Sequence, residues 1–521
     1  MRPLRRAPRQ LAEESGFTLL LALAIMVTTG LLMAAAFTAA NGDIHLSHND
    51  QLQKKAYYAA QAGISDYAFH LNQDVNYWTL CKNVPLPGKV NDVGDAPLKT
   101  RLVPGTTDES YAIQLITASS DPQAAPQKCD PLNPVLSMIE SNTPAGTFRI
   151  QSTGYAGNEV RTVTASFGHT SFLNYIYYTK FETSDPSIYA DPAAHVGCAA
   201  PRSARPGGCN TIDFITGDDI QGPMHTEDSA AICGSPIFGR NPADVIEFKG
   251  GSFGNGCPNA AIYKGTLVAA VPTIVPPPSD SSLLAVTQSA YHYTGKTLIN
   301  LHGSTMDVTN GGSTTLNVAF PSNGVIYISN GTCSTVYTPY GPDTTNDTGC
   351  GNVYVHGSYT TPLTIAAEND VVIDGNVTTP TDASGTPTTN GVLGLIANNF
   401  VRVNHPINGR LNAGSGNCAS DTNGAGTTND ITIYAAILAV NHSFINDNFD
   451  CGNPTGNLTV YGAIAQIFRG TVGTHSGATI TSGYFKDYIY DDRLQVESPP
   501  YFLNPVDAAW HVRRETLSPN P

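Results

Sequence analysis

The first eighty residues carry the clearest pattern of apolar and polar positions. Four arginines precede the pattern: Arg2, Arg5, Arg6 and Arg9. Residues 17–40 then form an uncharged, apolar run that is long enough to cross a bilayer as a helix. Because basic residues favour the cytoplasmic side, this pattern predicts a single-pass membrane protein whose remaining chain lies outside the cytoplasm.

A helical period continues beyond the apolar run. No proline occurs in residues 17–84, so one unbroken helix is permitted, with Asn41-Gly42-Asp43 as its weakest point. Packed-face positions then recur at steps of three, four and seven: Leu46, Gln53, Tyr57, Ala60, Ile64, Tyr67 and Leu71. The spacing predicts a long helix within residues 17–80, half in the membrane and half packed on a soluble domain.

Alternating runs replace the helical period after residue 81. Residues 111–118 are typical of a strand, and residues 147–153 and 160–167 are typical of a hairpin that turns at 154–157. Together with the second half of the helix, these strands predict an α+β domain that is complete at about residue 170.

The rest of the chain, residues 171–521, is expected to be mainly β. Eleven short β-rich runs alternate with Gly, Asn and Asp turns from residue 211 to residue 467. Stacked as coils of a solenoid, such strands share one continuous core, so the expected architecture is a parallel β-helix. A β-sandwich stays open as the alternative, because no clear repeat is visible. Four prolines in residues 271–278 predict a stiff crossing, and residues 279–291 a short helix.

Charge and cysteine content favour an exported protein. The formal net charge is −15 and only 13% of residues are charged, so nucleic acid is not an expected partner. The ten cysteines show no spacing typical of a zinc site. Paired in sequential order, they would close five loops outside the cell, and reduced buried cysteines are the alternative. The candidate pairs are Cys81 with Cys129, Cys198 with Cys209, Cys233 with Cys257, Cys333 with Cys350, and Cys418 with Cys451.

The junction Glu14-Ser-Gly16-Phe17-Thr-Leu places a small residue before the apolar run, whereas a secretory signal peptide has its cleavage site after the run. This order resembles the type IV pilin and pseudopilin precursors, in which a prepilin peptidase cuts after the glycine and methylates the new N-terminus. The resemblance implies a leader over residues 1–16, cleavage between Gly16 and Phe17, and N-methylation of Phe17. It also implies the membrane, the peptidase and other pilin subunits as partners. A plain signal anchor is the alternative.

Two further features refine this resemblance. Leu21 stands at the fifth mature position, where most major pilins carry a glutamate that contacts a neighbouring subunit. The segment Ala56-Tyr-Tyr-Ala-Ala-Gln61-Ala-Gly63-Ile64 resembles an element of PilX-type minor pilins, with Gln61 where glutamate is usual. The resemblance therefore implies a minor or tip pilin rather than a major filament subunit.

Three segments within residues 171–521 resemble segments of large pilin-like surface proteins that carry a β-solenoid. They lie in residues 217–225, 395–403 and 462–491. The resemblance is loose in these segments. It implies a β-solenoid architecture but does not indicate which ligand this region binds.

Several polar clusters have the residue types of binding or catalytic sites. His225, Glu227 and Asp228 have the residue types of a metal site, but a hydrogen-bonded turn is the preferred interpretation. Asp370 and Asp374 are spaced to lie on one face of a strand, as carboxylates do in glycan-cleaving β-helix enzymes. A solvated surface rim at the strand ends is the preferred interpretation of this pair. Two sets of side chains could offer oxygens to calcium, but neither has the EF-hand spacing, so flexible loops are the preferred interpretation. The sets are Asp421, Asn423 and Asp430, and Asp343, Asn346 and Asp347.

No recognisable catalytic motif occurs in the sequence, so no enzyme activity, cofactor or metal is expected. The leading hypothesis is a minor or tip pilin-like subunit of a type IV pilus or related secretion filament, with an adhesive head at the cell surface. The alternatives are a membrane-anchored surface protein outside any filament and an exported glycan-active enzyme.

Overall fold

The computed structural model describes most of the chain. The described residues are 17–74, 77–81, 100–117, 129, 138, 147–168, 171–269, 271, 273–334, 337, 339, 348–408, 422–476, 479–495, 497–506 and 510–517. They form a helix-and-sheet domain and a larger β-rich domain, which we call the head.

Helix α1, Phe17–Gln73, is continuous through Asn41-Gly42-Asp43. Its residues 18–38 are exposed, whereas a row of small and apolar side chains in its second half is buried: Ala56, Ala59, Ala60, Gly63, Ile64, Tyr67 and Leu71. The buried face is thus centred on alanines beside Tyr57, which is itself only half-buried. Small residues at these positions allow the helix to lie close to the sheet.

An antiparallel sheet covers the second half of the helix. Its first four strands are β1 Arg101–Leu102, β2 Glu109–Ile116, β3 Thr147–Ala156 and β4 Glu159–Gly168. The core between helix and sheet contains Tyr67, Phe148 and Phe167, with the Phe148 and Phe167 rings stacked 5.3 Å apart. The strands are therefore the ones expected from the period-two alternation.

The hairpin between β3 and β4 turns later than the sequence indicates. Gly154 lies inside β3, and the turn is formed by Gly157 and Asn158. A Cβ atom on Gly154 would lie 2.0 Å from the carbonyl oxygen of Ala56 and 2.3 Å from the amide nitrogen of Ala60. Gly154 is therefore a close-approach position under the helix and not a turn residue.

The fifth strand of this sheet comes from the other end of the chain. His511–Leu517 pairs antiparallel with β4, so that Gly168 lies opposite His511. The predicted boundary, which assigned all of residues 171–521 to the β-rich region, is therefore wrong at its C-terminal end. The head is inserted between two neighbouring strands of one sheet.

The head is built from short strands, only some of which overlap the eleven runs predicted from the sequence. In its first part these are β5 Tyr177–Phe181, β6 Asp213–Ile215, β7 Asp219–Gln221, β8 Met224–Thr226, β9 Ala230–Gly234, β10 Ile237–Phe238, β11 Val245–Phe248, β12 Ser252–Asn259, β13 Ile262–Tyr263 and β14 Thr266–Val268. A short helix follows, α2 Ser281–Val286.

The second part of the head adds seventeen strands before the chain returns to the first sheet. They are β15 His292–Thr294, β16 Thr297–Gly303, β17 Thr305–Asn310, β18 Ser313–Ala319, β19 Val325–Ser329, β20 Val353–Tyr359, β21 Leu363–Ala367, β22 Val371–Thr378, β23 Leu393–Ala397, β24 Val401–Val403, β25 Ile407–Asn408, β26 Thr422–Asn423, β27 Ile431–Ala439, β28 Phe444–Asn446, β29 Pro454–Phe468, β30 Gly473–Ser476 and β31 Thr479–Tyr490. The strand His511–Leu517 is then β32.

Most of these strands belong to one 22-stranded sheet. Among its described strand pairs, only the hairpin pairs β16–β17, β17–β18 and β30–β31 are antiparallel. One run of ten strands, each parallel to the next, has the spatial order β15, β19, β21, β23, β27, β29, β5, β8, β11, β14. At about 4.8 Å per step, this run is roughly 43 Å long.

The chain follows this run in an unexpected order. It enters in the middle at β5 and proceeds through β8 and β11 to one end at β14. It then crosses to the opposite end at β15 and returns through β19 to β29, which lies beside β5. The chain thus enters and leaves the head at neighbouring positions: β29 pairs with β31 through Gly462, opposite Tyr490, and with β5 from Ile464, opposite Tyr177.

The proline-containing segment is the crossing between the two ends, as expected. The carbonyl of Ile274 accepts a hydrogen bond from Tyr178 Oη (2.8 Å), and the carbonyl of Val275 accepts one from the amide of Val506 (2.8 Å). At its far end, Asp280 is 1% exposed, and its Oδ1 accepts a hydrogen bond from Tyr327 Oη (3.0 Å). Specific contacts therefore fix the crossing to the strands it passes.

Replacing Trp510 by alanine should destabilise the helix-and-sheet domain by about 3–5 kcal/mol, because a large buried ring is lost from its core. Trp510 is 3% exposed and packs edge-on against Phe148 at 4.7 Å. Trp78 and Trp510 are the two tryptophans of the chain and lie in the same core, so urea unfolding followed by tryptophan fluorescence reports on this domain. Leu517→Ala, at a 67% exposed position of β32, the strand that Trp510 precedes, is the matched control. An unchanged midpoint for Trp510→Ala would show that this strand does not belong to the domain.

Replacing Asp280 by asparagine should stabilise the head at pH 8. Burial raises the pKa of Asp280 to about 7, whereas an unfolded aspartate has a pKa of about 3.9. The folded head therefore loses stability as the pH rises from about 4 to 7, by on the order of 4 kcal/mol, and the loss is complete above pH 7. Melting followed by far-UV circular dichroism should show an advantage of the variant at pH 8 that shrinks towards pH 4.5. Asp191→Asn, at an exposed position, should show no such trend; an advantage of Asp280→Asn that is independent of pH would contradict the assignment.

Candidate functional site

The predicted cleavage site lies at the start of helix α1. Gly16 lies outside the described residues, and Phe17 is the first residue of the helix. Residues Thr18–Thr38 are long and apolar enough to cross a membrane by length and composition, and none of this stretch is buried. Leu21 is one of its exposed side chains. The helix therefore suits a membrane anchor or a signal sequence, and cleavage and methylation stay predictions.

Disulfide bonds join cysteines that are neighbours in the sequence. Four bonds are described: Cys81–Cys129, Cys198–Cys209, Cys233–Cys257 and Cys333–Cys350. They follow the sequential order expected. Cys451 is also disulfide-bonded, whereas Cys418 lies outside the described residues, so the pair Cys418–Cys451 stays a prediction. Oxidised cysteines in both domains indicate a chain that folds outside the cytoplasm.

His225 is the centre of a buried ion-pair network on β8. Its Nδ1 lies 2.6 Å from Glu247 Oε2, and its Nε2 lies 3.0 Å from Glu227 Oε1. Burial alone would lower the pKa of His225, but the hydrogen bonds to Glu227 and Glu247 outweigh it and raise the pKa. Lys249 Nζ donates to Glu227 Oε2 at 2.7 Å. Both ring nitrogens of His225 are thus hydrogen-bonded to carboxylates, and this arrangement suits a structural network better than a metal site.

Asp228, the third member of the predicted cluster, binds other groups. Its side chain accepts hydrogen bonds from the amides of Glu182 (3.0 Å) and Arg202 (2.7 Å) and pairs with the guanidinium of Arg205. Across the described part of the chain, no group of three or more His, Cys, Asp or Glu side chains is arranged to hold a metal ion.

Asp370 is buried and paired, which differs from the predicted surface position. It precedes β22, is 1% exposed, and its Oδ2 lies 3.2 Å from Arg402 Nε. Arg402 is 2% exposed, and its Nη1 lies 3.2 Å from Asp447 Oδ1, which also accepts a hydrogen bond from Tyr337 Oη at 2.5 Å. Burial raises the pKa of Asp370 although Arg402 opposes the shift. These groups hold neighbouring strands together and are closed to a polymeric substrate.

Asp374 lies in a different environment from Asp370. Its Oδ1 lies 2.8 Å from Nδ1 of His356 on the neighbouring strand β20. The hydrogen bond to Asp374 raises the pKa of His356 despite its burial. The two aspartates therefore pair with different basic residues, Asp370 with Arg402 and Asp374 with His356.

The calcium candidates are only partly described. Asp421, Asp343, Asn346 and Asp347 lie outside the described residues. Asn423 Oδ1 accepts a hydrogen bond from the amide of Asn453 (3.0 Å), and Asp430 Oδ1 accepts one from the amide of Asn457 (2.9 Å). The two described oxygens thus cap backbone groups of the next loop.

A second buried cluster was not predicted. Arg469 Nη1 lies 3.0 Å from Glu182 Oε2, and its guanidinium carbon lies 3.5 Å from the centre of the Phe214 ring. Lys486 Nζ donates to Asp218 Oδ2 at 2.7 Å. Burial raises the pKa of Glu182 and lowers the pKa of Lys486. The sequence gives no local signal for this cluster, because the acidic partners of Arg469 and Lys486 are more than 250 residues away.

A cavity of about 340 Å³ lies beside this cluster. It is bounded by residues before and within β6, by the hairpin β30–β31, and by Phe449 and Asp450. Asp213, Asp450 and Lys486 supply its charged side chains, and His475 supplies an imidazole ring. No sequence pattern indicates this cavity, because its walls come from three distant parts of the chain.

No family model matches this sequence, and no curated protein matches it. Among solved structures, it is similar to the competence-associated pilin ComZ from Thermus thermophilus. The identity is 13%, the alignment covers 90% of this chain and 97% of that chain, and the TM-score is 0.28. At this TM-score the likeness supports no conclusion about fold or function.

Proposed function

We propose that this chain is a minor or tip pilin-like subunit of a type IV pilus or a related secretion filament, anchored by one membrane helix and displaying an adhesive head at the cell surface. The observation that carries the proposal is helix α1. It begins at the Gly16-Phe17 junction. Its first half is apolar and exposed, and its second half packs on an antiparallel sheet. A filament built from such helices would bury the apolar half among neighbouring subunits.

The head in this proposal is a parallel β-helix. The ten-strand parallel run and the continuous apolar core along it support a solenoid, whereas a β-sandwich is built from antiparallel strands. Stacked asparagines add support: Asn399 Nδ2 donates to Asn369 Oδ1, and Asn369 Nδ2 donates to Asn352 Oδ1, each at 2.6 Å. Such a ladder requires equivalent turns in successive coils.

A minor role is supported by Leu21 and by the size of the head. Leu21 offers no carboxylate to a neighbouring subunit, and the head is far larger than the domain that carries it. Repeated packing along a shaft would bring such heads into conflict. The proposed partners are other pilin subunits, the prepilin peptidase and the membrane, together with a surface ligand of the head.

The second candidate is a membrane-anchored surface protein outside any filament. The exposed span Thr18–Thr38 favours it equally, and deletion of the gene would then leave filaments intact. We do not propose an enzyme, because Asp370 is buried in an ion pair with Arg402 and separated in its contacts from Asp374.

Replacing Gly16 by leucine should leave a full-length precursor in the membrane, because a bulky side chain blocks the peptidase at its cut. The measurement is intact-mass analysis of the protein from its own host, with the wild type giving a methylated Phe17 terminus. Ala12→Leu, in the same leader, should mature normally. Normal maturation of the Gly16 variant would refute the pilin-like assignment.

Immunogold labelling of sheared filaments should place the wild-type protein at ends or at sparse sites. Because Gly168 lies opposite His511, a short Gly-Asn loop can replace residues 171–506 and close β4 to β32 as a hairpin. With the head removed, incorporation should increase several-fold relative to the wild type, as measured by immunoblot of sheared filaments with a shared epitope tag. Dense, regular labelling of the shaft by the wild-type protein would contradict a minor or tip role.

A further inference from the structure

The head has an open sheet edge at β14, one end of the ten-strand parallel run. Among the described strands, β12 pairs only with β9, β13 only with β10, and β14 only with β11. These three strands are the last ones before the proline-containing crossing, and no described strand lies beyond them in the sheets. An edge with unpaired backbone groups is a template on which a further strand can pair.

The backbone of Leu267 faces this open edge. The amide of Thr266 donates to the carbonyl of Asp244 (2.8 Å), so the backbone of Thr266 faces β11. Because successive residues of a strand direct their N–H and C=O groups to opposite sides, those of Leu267 face away from β11. β14 is Thr266–Val268 and contains no charged residue, proline or bulge that would block a partner strand.

The apolar core also ends uncovered at β14. Met224 on β8, Ile246 on β11 and Leu267 on β14 lie opposite one another and form one column. Met224 and Ile246 are fully buried, whereas Leu267 is 50% exposed. One more strand beside β14 would therefore cover this column as well as pair the backbone of Leu267.

The opposite end of the run is covered by the chain itself. The hairpin β17–β18 extends the sheet there, and Asn310 Nδ2 donates to the carbonyl of Thr294, the last residue of β15 (3.0 Å). At the β14 end, Pro258 and a register shift between Gly254 and Asn259 blunt the neighbouring edge strand β12. β14 is thus the strand on which a partner can pair.

A second copy of this chain fits the β14 edge. A twofold axis through Leu267 would place β14 antiparallel to its mate, and the two Leu267 residues would exchange both N–H···O=C bonds. Each leucine side chain faces the interior of its own head, so the two apolar columns would meet at the axis. The net charge of −15 makes two copies repel in general, but residues 250–269 contain a single charged residue, Lys264. The chain can therefore approach a copy of itself at this end.

We propose that two heads pair end to end through β14, in a twofold dimer centred on Leu267. Such an interface is self-complementary and closed, so it ends at two copies. It involves the head alone and is independent of whether the chain enters a filament.

Disulfide trapping of the full-length chain in detergent micelles tests the proposal, with copper-phenanthroline as the oxidant. In the twofold dimer Thr266 lies opposite Val268 of the second copy, at a spacing that a disulfide can bridge. An equal mixture of Thr266→Cys and Val268→Cys chains should therefore form a cross-linked dimer, whereas each variant alone should not. The requirement for both variants separates this interface from association through helix α1.

Leu267→Asp, added to both chains of the mixture, should reduce cross-linking roughly tenfold, because it places two carboxylates opposite each other at the axis. Leu316→Asp is the matched control, since Leu316 is 64% exposed on the edge strand β18 at the other end, and it should leave cross-linking unchanged. Melting temperatures establish that the variants are folded, and the comparison of mixed with single cysteine variants stays decisive if Leu267→Asp fails to fold. No cross-link in the mixture, equal cross-linking of a single variant, or cross-linking that a folded Leu267→Asp chain retains would each overturn the proposal.

Discussion

The whole architecture depends on one constraint: a chain that leaves the first sheet after Gly168 must return beside the same strand at His511. More than three hundred residues intervene, so the head has to bring its two ends together. It does so on a single strand, β29, which pairs with β31 through Gly462 and with β5 from Ile464. The last strand of the head, β31, and its first strand, β5, therefore lie one after the other along β29. The core of the first domain can then close around Trp510 as if the head were a hairpin loop.

The first domain meets its own constraint, the close approach of helix and sheet. Gly154 and Gly63 leave room that a Cβ would occupy: at Gly63 it would lie 2.3 Å from Ser152 Oγ. The packing of the helix on the sheet also accounts for Gln61, which stands where PilX-type minor pilins usually carry a glutamate. Gln61 donates to Glu515 Oε2 on the returning strand at 2.7 Å, whereas a glutamate at position 61 would repel that carboxylate. The small-residue element of the helix and the late strand of the chain therefore fit each other.

Local patterns predicted what local physics determines. The helix, the antiparallel hairpin and eleven of the twenty-seven described head strands follow from local patterns, and the proline-containing crossing follows from backbone stiffness. The turn at Gly154 was misplaced because a glycine required for close packing has the same local signature as a turn glycine. The return of His511–Leu517 and the middle entrance at β5 depend on contacts between residues hundreds of positions apart, which no local period encodes. No local period encodes the burial of Asp370 beside Arg402 on the neighbouring strand β24, or the cavity around Asp213.

The position of the attachment has a consequence for packing. Because the chain enters and leaves at β5 and β31, beside β29, the ten-strand run extends to both sides of the attachment, with β15 at one end and β14 at the other. The run is roughly 43 Å long at about 4.8 Å per strand, so the head extends in two directions from its link to the first sheet. Buried ion pairs such as Arg402–Asp447 and Arg469–Glu182 bridge distant segments and oppose bending of this body. A stiff head joined at its middle is poorly suited to repeated lateral packing.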